Sequence, residues 1–345
     1  MEAIPIKDRT TLRDLADKLF MTKTTVWKRL KEGEFRRHSS DMKPTLTEDN
    51  LKARVAYALS NLEPASLPHD PTFKPAFNVV HIDEKWYYRT KTRLKCYLGP
   101  NEPIPIRHCK NKGWIEKFMF LTAVSRPRFN SAGEMIFDGK VGVWPFVELV
   151  PAQRSSKRRG KGTLEIKSCP VDQSKSREFL ITKVIPAIKE KWPQEDRHGT
   201  IFIQQDNAKT HVRIDDQEVN EAATSGGWDI RIVFQPTNSP DTNVLDLGYF
   251  AAIQALFQKK MPTTVDEMIS KVEEAFAEYP AERSNRIFLT HQSCMREIIR
   301  QKGTIHYSVP HLKKKAMQRR GALPVVYSCE REFVDAAIAY LRTGA

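Results

Sequence analysis

The sequence lacks several features that would have fixed its class. It has only five cysteines, Cys96, Cys109, Cys169, Cys294 and Cys329, an odd number, far apart and without a CxxC pair. That pattern excludes a disulfide framework and a zinc ribbon and points to a reducing compartment. No stretch approaches the ~18 consecutive apolar residues of a membrane span. The opening MEAIPIKDRT has no apolar signal core, so the chain is expected to be neither secreted nor membrane-spanning. No internal repeat or low-complexity block occurs. What is present is a chain of 345 residues with 40% hydrophobic content, enough for a full catalytic domain with a smaller attachment. The net charge of +14 calls for an acidic partner, and nucleic acid is the commonest one.

Three aspartates stand in related company: Asp83 in FNVVHIDEKW, Asp206 closing TIFIQQDNAKTH, and Asp246 in NSPDTNVLDLGYF. In the first two, β-branched and aromatic residues run straight into an acid, as at the end of a buried strand. The third opens an apolar stretch, 244–257, that reads as a helix. Two strand-end carboxylates and one helix carboxylate are expected to meet at one edge of a sheet. Unaided they repel, by about 3 kcal/mol per pair at ~5 Å and an effective dielectric of ~20. A hard divalent cation, Mg²⁺ or Mn²⁺, is the natural counter-charge for such oxygens.

These three blocks resemble the catalytic blocks of mariner-type transposases, in order and in spacing. Between Asp83 and Asp206 lie 122 residues, and between Asp206 and Asp246 lie 39. The second gap is similar to that of the plant-type mariner-like branch, whose triad is three aspartates. The match runs from about Phe77 to Leu256 and includes FMFLTAVSRPRF, FDGKVGVWPFV and VIPAIKEKWP. The resemblance implies an RNase-H-like, retroviral-integrase-like catalytic domain and cut-and-paste transposition in the nucleus. Its partners would be double-stranded DNA with terminal inverted repeats and a TA target, and its assembly a homodimer. It also implies two Mg²⁺ or Mn²⁺ ions, with Asp83 bridging them and Asp206 and Asp246 each holding one.

A second unit lies near the N-terminus. Leu12, Leu15, Ala16 and Leu19 fall at helical spacing, and Thr22 is placed to cap a second helix whose Val26 and Leu30 face inward. The short break between them makes a helix-turn-helix, with Lys23, Thr24, Trp27, Lys28 and Lys31 outward as a groove and phosphate set. Phe20 occupies the turn position where glycine would take positive φ cheaply. Mariner-type transposases carry two such units, and this one resembles the second alone, so the sequence is expected to be N-terminally incomplete.

The expected organisation is a helix-turn-helix over 1–33, a linker over 34–76, the catalytic domain over 77–308 and a basic tail with a helix over 309–345. Strands are expected at 77–82, 86–89, 94–98, 117–124, 141–150, 200–205 and 228–234, and helices at 48–59, 177–191 and 215–223. That order is the one of an α/β mixed sheet. Arg36 and Arg37, with His38, either touch DNA or form a solvated hinge. The loop PAQRSSKRRGKG, with Arg158 and Arg159, is a DNA contact, a nuclear-import signal or a plain exposed loop.

Near the acids, Glu84 is expected on the opposite face of its strand. Asp241 reads as a turn residue after Pro240, and His211 as a DNA contact or a structural hydrogen bond. Trp86, Trp114 and Trp144 read as core residues, with base stacking as the alternative. Two further functions stay open: a transposase-derived DNA-binding or regulatory protein without activity, and an RNase-H-like nuclease unrelated to transposition.

Overall fold

The protein is seen in a computed structural model that describes residues 3–38, 43–90, 97–106, 108, 111, 113, 115–155 and 159–343. The chain divides into two compact units, Met1–Pro44 and Thr45–Ala345.

In the first unit α1 (Leu12–Lys18) and α2 (Lys23–Glu32) follow a short 3₁₀ turn, Ile6–Arg9. Thr11 and Thr22 cap the two helices, their side chains accepting from the Asp14 and Thr25 amides at 3.1 Å. Leu15, Ala16 and Val26 form the buried centre. Phe20 does take the left-handed conformation, at φ 53°, and its side chain is 98% exposed.

The second unit begins with α3 (Glu48–Ser60), capped by Thr47. A five-stranded sheet follows, in the order β5-β2-β1-β8-β9. Strand β1 (Val79–Tyr88) pairs antiparallel with β2 (Lys117–Ser125). A small hairpin, β3 (Arg128–Phe129) and β4 (Met135–Phe137), leads to β5 (Lys140–Pro145) on the far side of β2. On the other side of β1, β8 (Ile201–Gln205) and β9 (Ile230–Phe234) add in parallel. The hairpin β6 (Val147–Pro151) and β7 (Leu164–Ser168) stands apart from this sheet.

Helices cover both faces. On one, α4 (Gln173–Phe179), α5 (Ile185–Lys191) and α6 (Gln217–Thr224) pack on Val80, Ile82, Ile201, Ile203 and Ile232. Helices α4 and α5 are joined by a wide turn, Leu180–Val184, beside Pro186, which has no amide hydrogen to continue the ladder. On the other face α7 (Phe250–Lys259), α8 (Val265–Glu278) and α9 (Ala281–Arg300) pack on Tyr87, Phe118, Phe120 and Val143. The chain closes with α10 (Lys314–Arg319) and α11 (Arg331–Arg342).

Several expectations are corrected. The strands expected at 77–82 and 86–89 are one, so Asp83 lies mid-strand. The stretch 141–150 is two strands in different sheets, parted after Pro145, which offers no ladder donor. Of the strand expected at 94–98, residues 94–96 lie outside the described set, and Tyr97 and Leu98 are not in a strand. The expected linker and tail differ most. Helix α3, in the middle of 34–76, shares one buried cluster with α9 and α11 through Val55, Ala58, Ile298, Val334 and Ala337. Residues 34–44 of the expected linker fall in the first unit, whereas 45–76 and the expected tail from 309 belong to the second. Cys169, Cys294 and Cys329 are free and buried, while Cys96 and Cys109 lie outside the described residues. No helix among the described residues is long and apolar enough to cross a membrane.

Candidate active site

Strand β1 alternates strictly, and that alternation sets the site. Val80 and Ile82 enter the core under α4 to α6, while Tyr87 enters the core under α7. Asp83 shares the parity of Tyr87 and so faces the α7 side, toward Asp246. The parallel pairing of β1 with β8 ends at His81↔Gln204, whereas pairing with β2 continues to Tyr88. Asp83 thus lies just beyond the point where β8 leaves the sheet, and Asp206 is the first residue past β8. Asp246 sits in a wide turn, Leu245–Tyr249, broken at Gly248, whose φ of 136° only glycine adopts readily. The helix expected over 244–257 therefore starts regularly only at Phe250.

All three aspartates line one cavity of about 320 Å³, closed by Asn207, Ala208 and the 235–240 loop. Their environments differ sharply. Burial, reinforced by repulsion from Asp246, Glu84 and Asp206, pushes Asp83 up to about 8. Asp246 is raised as well, by desolvation in the cavity wall and by Asp206, against the pull of Lys85. Asp206 moves the other way, its carboxylate held low first by the hydrogen bond from His211.

Each of the first two carboxylates is engaged by the protein. The two Asp83 oxygens accept from the Glu84 amide at 2.7 Å and from Asn243 Nδ2 at 2.6 Å. Asp206 Oδ1 accepts from the Ala208 amide at 2.9 Å and lies 2.5 Å from His211 Nδ1. His211 Nε2 donates to Glu84 Oε2 at 3.1 Å. Although burial opposes its charge, these two carboxylates lift His211 to about 11, so the ring is an imidazolium clamped between them. Of the two roles expected for His211, the structural one is what is seen. Glu84 keeps the expected opposite face, yet reaches the site through that ring.

Two of the three carboxylates are thus turned toward protein donors. Among the described residues no group of three or more histidine, cysteine, aspartate or glutamate side chains is drawn tightly enough together to hold a metal ion. The donor chemistry nevertheless suits one. The cavity gathers three carboxylates and raises one of them to about 8, by burial first and by the charge of its neighbours second, and a hard cation relieves that repulsion. Asp83, Asp206 and Asp246 are the residues that would hold it.

Asp241, read from sequence as a turn residue, does lie in a 3₁₀ turn, Pro240–Thr242. It also does more. Arg54, fully buried on α3, meets both its oxygens at 2.7 and 2.6 Å and donates from Nε to the Gly303 carbonyl at 2.7 Å. Tyr307 donates to the same carboxylate. Tyr57, one turn on, donates to Gln204 Oε1 at 2.7 Å, and Gln204 Nε2 donates to the Thr242 carbonyl at 3.0 Å. Helix α3 therefore braces both walls of the cavity. Asn243, Arg54 and Tyr57 were missed from sequence, and only Asn243, three residues before Asp246 in the same block, carried a local signal.

The DNA-facing expectations are placed as follows. Lys23, Thr24, Lys28 and Lys31 are exposed on α2, with Lys31 Nζ 5.6 Å from the Trp27 ring centre, and Arg36 and Arg37 are exposed after it. Arg159 pairs with Glu165 across the β6–β7 hairpin. Arg158 and Trp114 lie outside the described residues. Trp86 is not core: it is 37% exposed under Lys117 Nζ, 4.4 Å from its ring centre. Trp144 packs half-buried on the sheet core.

No protein-family model and no curated protein sequence matches the chain. Solved structures do. A pre-cleavage Mos1 transpososome aligns with TM-score 0.57 at 18% identity, over 87% of this chain and 76% of that one. The Mos1 mariner paired end complex with Mn gives the same figures, and the Mos1 strand transfer complex a TM-score of 0.55 at 18% identity over the same shares. At such identity the likeness is one of architecture: the mixed five-stranded sheet covered by helices is an RNase-H-like fold, preceded by a small helical unit.

Proposed function

We propose that the chain is a mariner-type DNA transposase of the plant-type branch, a nuclear enzyme that acts as a homodimer. It cleaves at terminal inverted repeats and joins the ends to a TA target, using Mg²⁺ or Mn²⁺. The observation that carries this reading is the meeting of Asp83, Asp206 and Asp246, from three distant blocks, in one cavity where β8 parts from β1. The structural neighbours support it: they are a pre-cleavage Mos1 transpososome and Mos1 paired end complexes, one with Mn and one with Mg.

Two cations held by these carboxylates would polarise the scissile phosphate, activate the attacking water and stabilise the leaving oxygen. The chain's own residues prepare the cavity for that work. Asn243 and the Glu84 amide fix the Asp83 carboxylate, and His211 with the Ala208 amide fixes Asp206. Glu84 accepts from the other nitrogen of His211, so the imidazolium is held from both sides. On the N-terminal unit, the exposed cations of α2 take duplex DNA, with Arg36, Arg37, Arg158 and Arg159 adding phosphate contacts.

The test is cleavage of DNA bearing candidate terminal repeats in Mg²⁺ or Mn²⁺, beside Asp206→Ala. The substitution abolishes cutting while changing DNA affinity by less than about tenfold, because phosphate contacts elsewhere carry the binding. A variant that cuts at near-parental rate refutes the assignment. One observation favours a second reading, a transposase-derived DNA-binding or regulatory protein: Asp206 is held by His211 rather than turned to its fellow acids. Parental protein that binds repeat DNA but never cuts it would select that reading.

A further inference from the structure

The segment 207–211 closes the acidic cavity on one side and walls a second, larger cavity of about 500 Å³ on the other. Asn207, Lys209 and His211 line it from this segment, and Arg213, Ile214 and Phe234 face them. Its lining is more basic than its neighbour's, with one carboxylate, Asp215, beside Lys209 and Arg213. Lys209 is exposed and engages no carboxylate among the described residues. Arg213 is already paired with Asp215 at 3.0 Å. Ile214 stands 53% exposed and Phe234 half-buried, so an apolar surface opens to water directly beside an available cation.

A simple anion would use the cation and leave the apolar wall wet. The face of a nucleobase covers such a wall, and its phosphate satisfies the lysine. A paired base inside a duplex presents only its edges, so the base must be unpaired. The volume lies in the range of small-ligand sites. We infer that this groove holds one unpaired nucleotide of a DNA strand, an inference that rests on the transposase reading of the neighbouring cavity. Lys209 takes the phosphate, Ile214 and Phe234 take the base face, and the Asn207 amide reaches the base edge. The shared wall sets that nucleotide next to the phosphate that the three aspartates face.

The experiment is an anisotropy titration of the full chain without divalent metal. A labelled blunt duplex is compared with the same duplex carrying a short single-stranded overhang, at several salt concentrations. The parental chain binds the overhang duplex at least tenfold more tightly. Ile214→Ser removes most of that preference and leaves blunt-duplex binding unchanged. Lys209→Ala lowers the log–log salt slope for overhang DNA by about 0.7, the value for one phosphate contact on a single strand. Both side chains are exposed, and matched melting curves confirm that the variants are folded. A parental chain with no overhang preference, or a preference that survives both substitutions, overturns the inference. A chain that grips the overhang through these residues but never cuts DNA contradicts the enzyme reading alone. One that cuts and ignores the overhang contradicts the groove alone.

Discussion

The two units carry charge in opposite ways. In Met1–Pro44 the buried centre is Leu15, Ala16 and Val26, and Lys23, Lys28 and Lys31 all lie in solvent. In Thr45–Ala345 the decisive charges are inside: Arg54 is 0% exposed, Asp241 8% and His211 9%. An exposed cation answers to its ligand alone, whereas a buried one is held by a partner that loses its compensation when the cation is removed. Removing the exposed cations of α2 should therefore cost binding, and removing the buried Arg54 should cost folding.

The largest expected effect is at Arg54. Arg54→Ala leaves Asp241 buried without its counter-charge and should destabilise the second unit by about 3–5 kcal/mol, read by urea denaturation. A loss below about 1 kcal/mol would mean that the pair is dispensable, and the contrast between units would fail at its strongest point.

Asp83→Asn comes next and has the opposite sign. The folded state keeps a proton on Asp83 up to about pH 8, while the unfolded chain releases it near pH 4. Folded protein thus binds more protons across that window, so parental stability falls as pH rises from about 4 to about 8 and levels off above. The asparagine variant lacks this slope and should be more stable than the parent by about 2–4 kcal/mol at pH 8.5 without divalent metal. Parallel stability–pH curves for the two proteins would show that the cavity does not strain Asp83.

The smallest effect on folding belongs to the double substitution of Lys23 and Lys28 by alanine. Stability should stay within about 0.5 kcal/mol, while the log–log salt slope for duplex DNA drops by about 0.9 for each lost phosphate contact. If either lysine contacts a base, preference for repeat over scrambled DNA should also erode. Unchanged binding to every duplex would make α2 a packing element.

What could be read from the sequence follows the same division. The helix-turn-helix with its Thr22 cap and the strand running into Asp206 depend on residues a few positions apart, so period and capping display them. The join after Pro145 was also written locally, though the apolar run across it hid the change of sheet. Arg54 meeting Asp241 across 187 positions, and His211 meeting Glu84 across 127, have no local trace. Helix α3 shows why. Its buried set is Arg54, Val55 and Ala58, and an arginine at the centre of a buried face reads as surface. The connector around it is rich in proline, so a bracing helix passed for a linker. The acids themselves could be named from sequence, but not the proton on Asp83 or the imidazolium on Asp206, which depend on what surrounds them.

The central claim is that these carboxylates form a divalent-cation site, and it is met most directly by calorimetric titration of Mn²⁺ into the full chain at pH 7. Running it in two buffers of different ionisation enthalpy counts the protons released. With Asp83 raised to about 8, the cation must displace about 0.9 proton from it, and Asp83→Asn should bind Mn²⁺ far more weakly. Binding without proton release, or equal binding by the variant, would contradict the account.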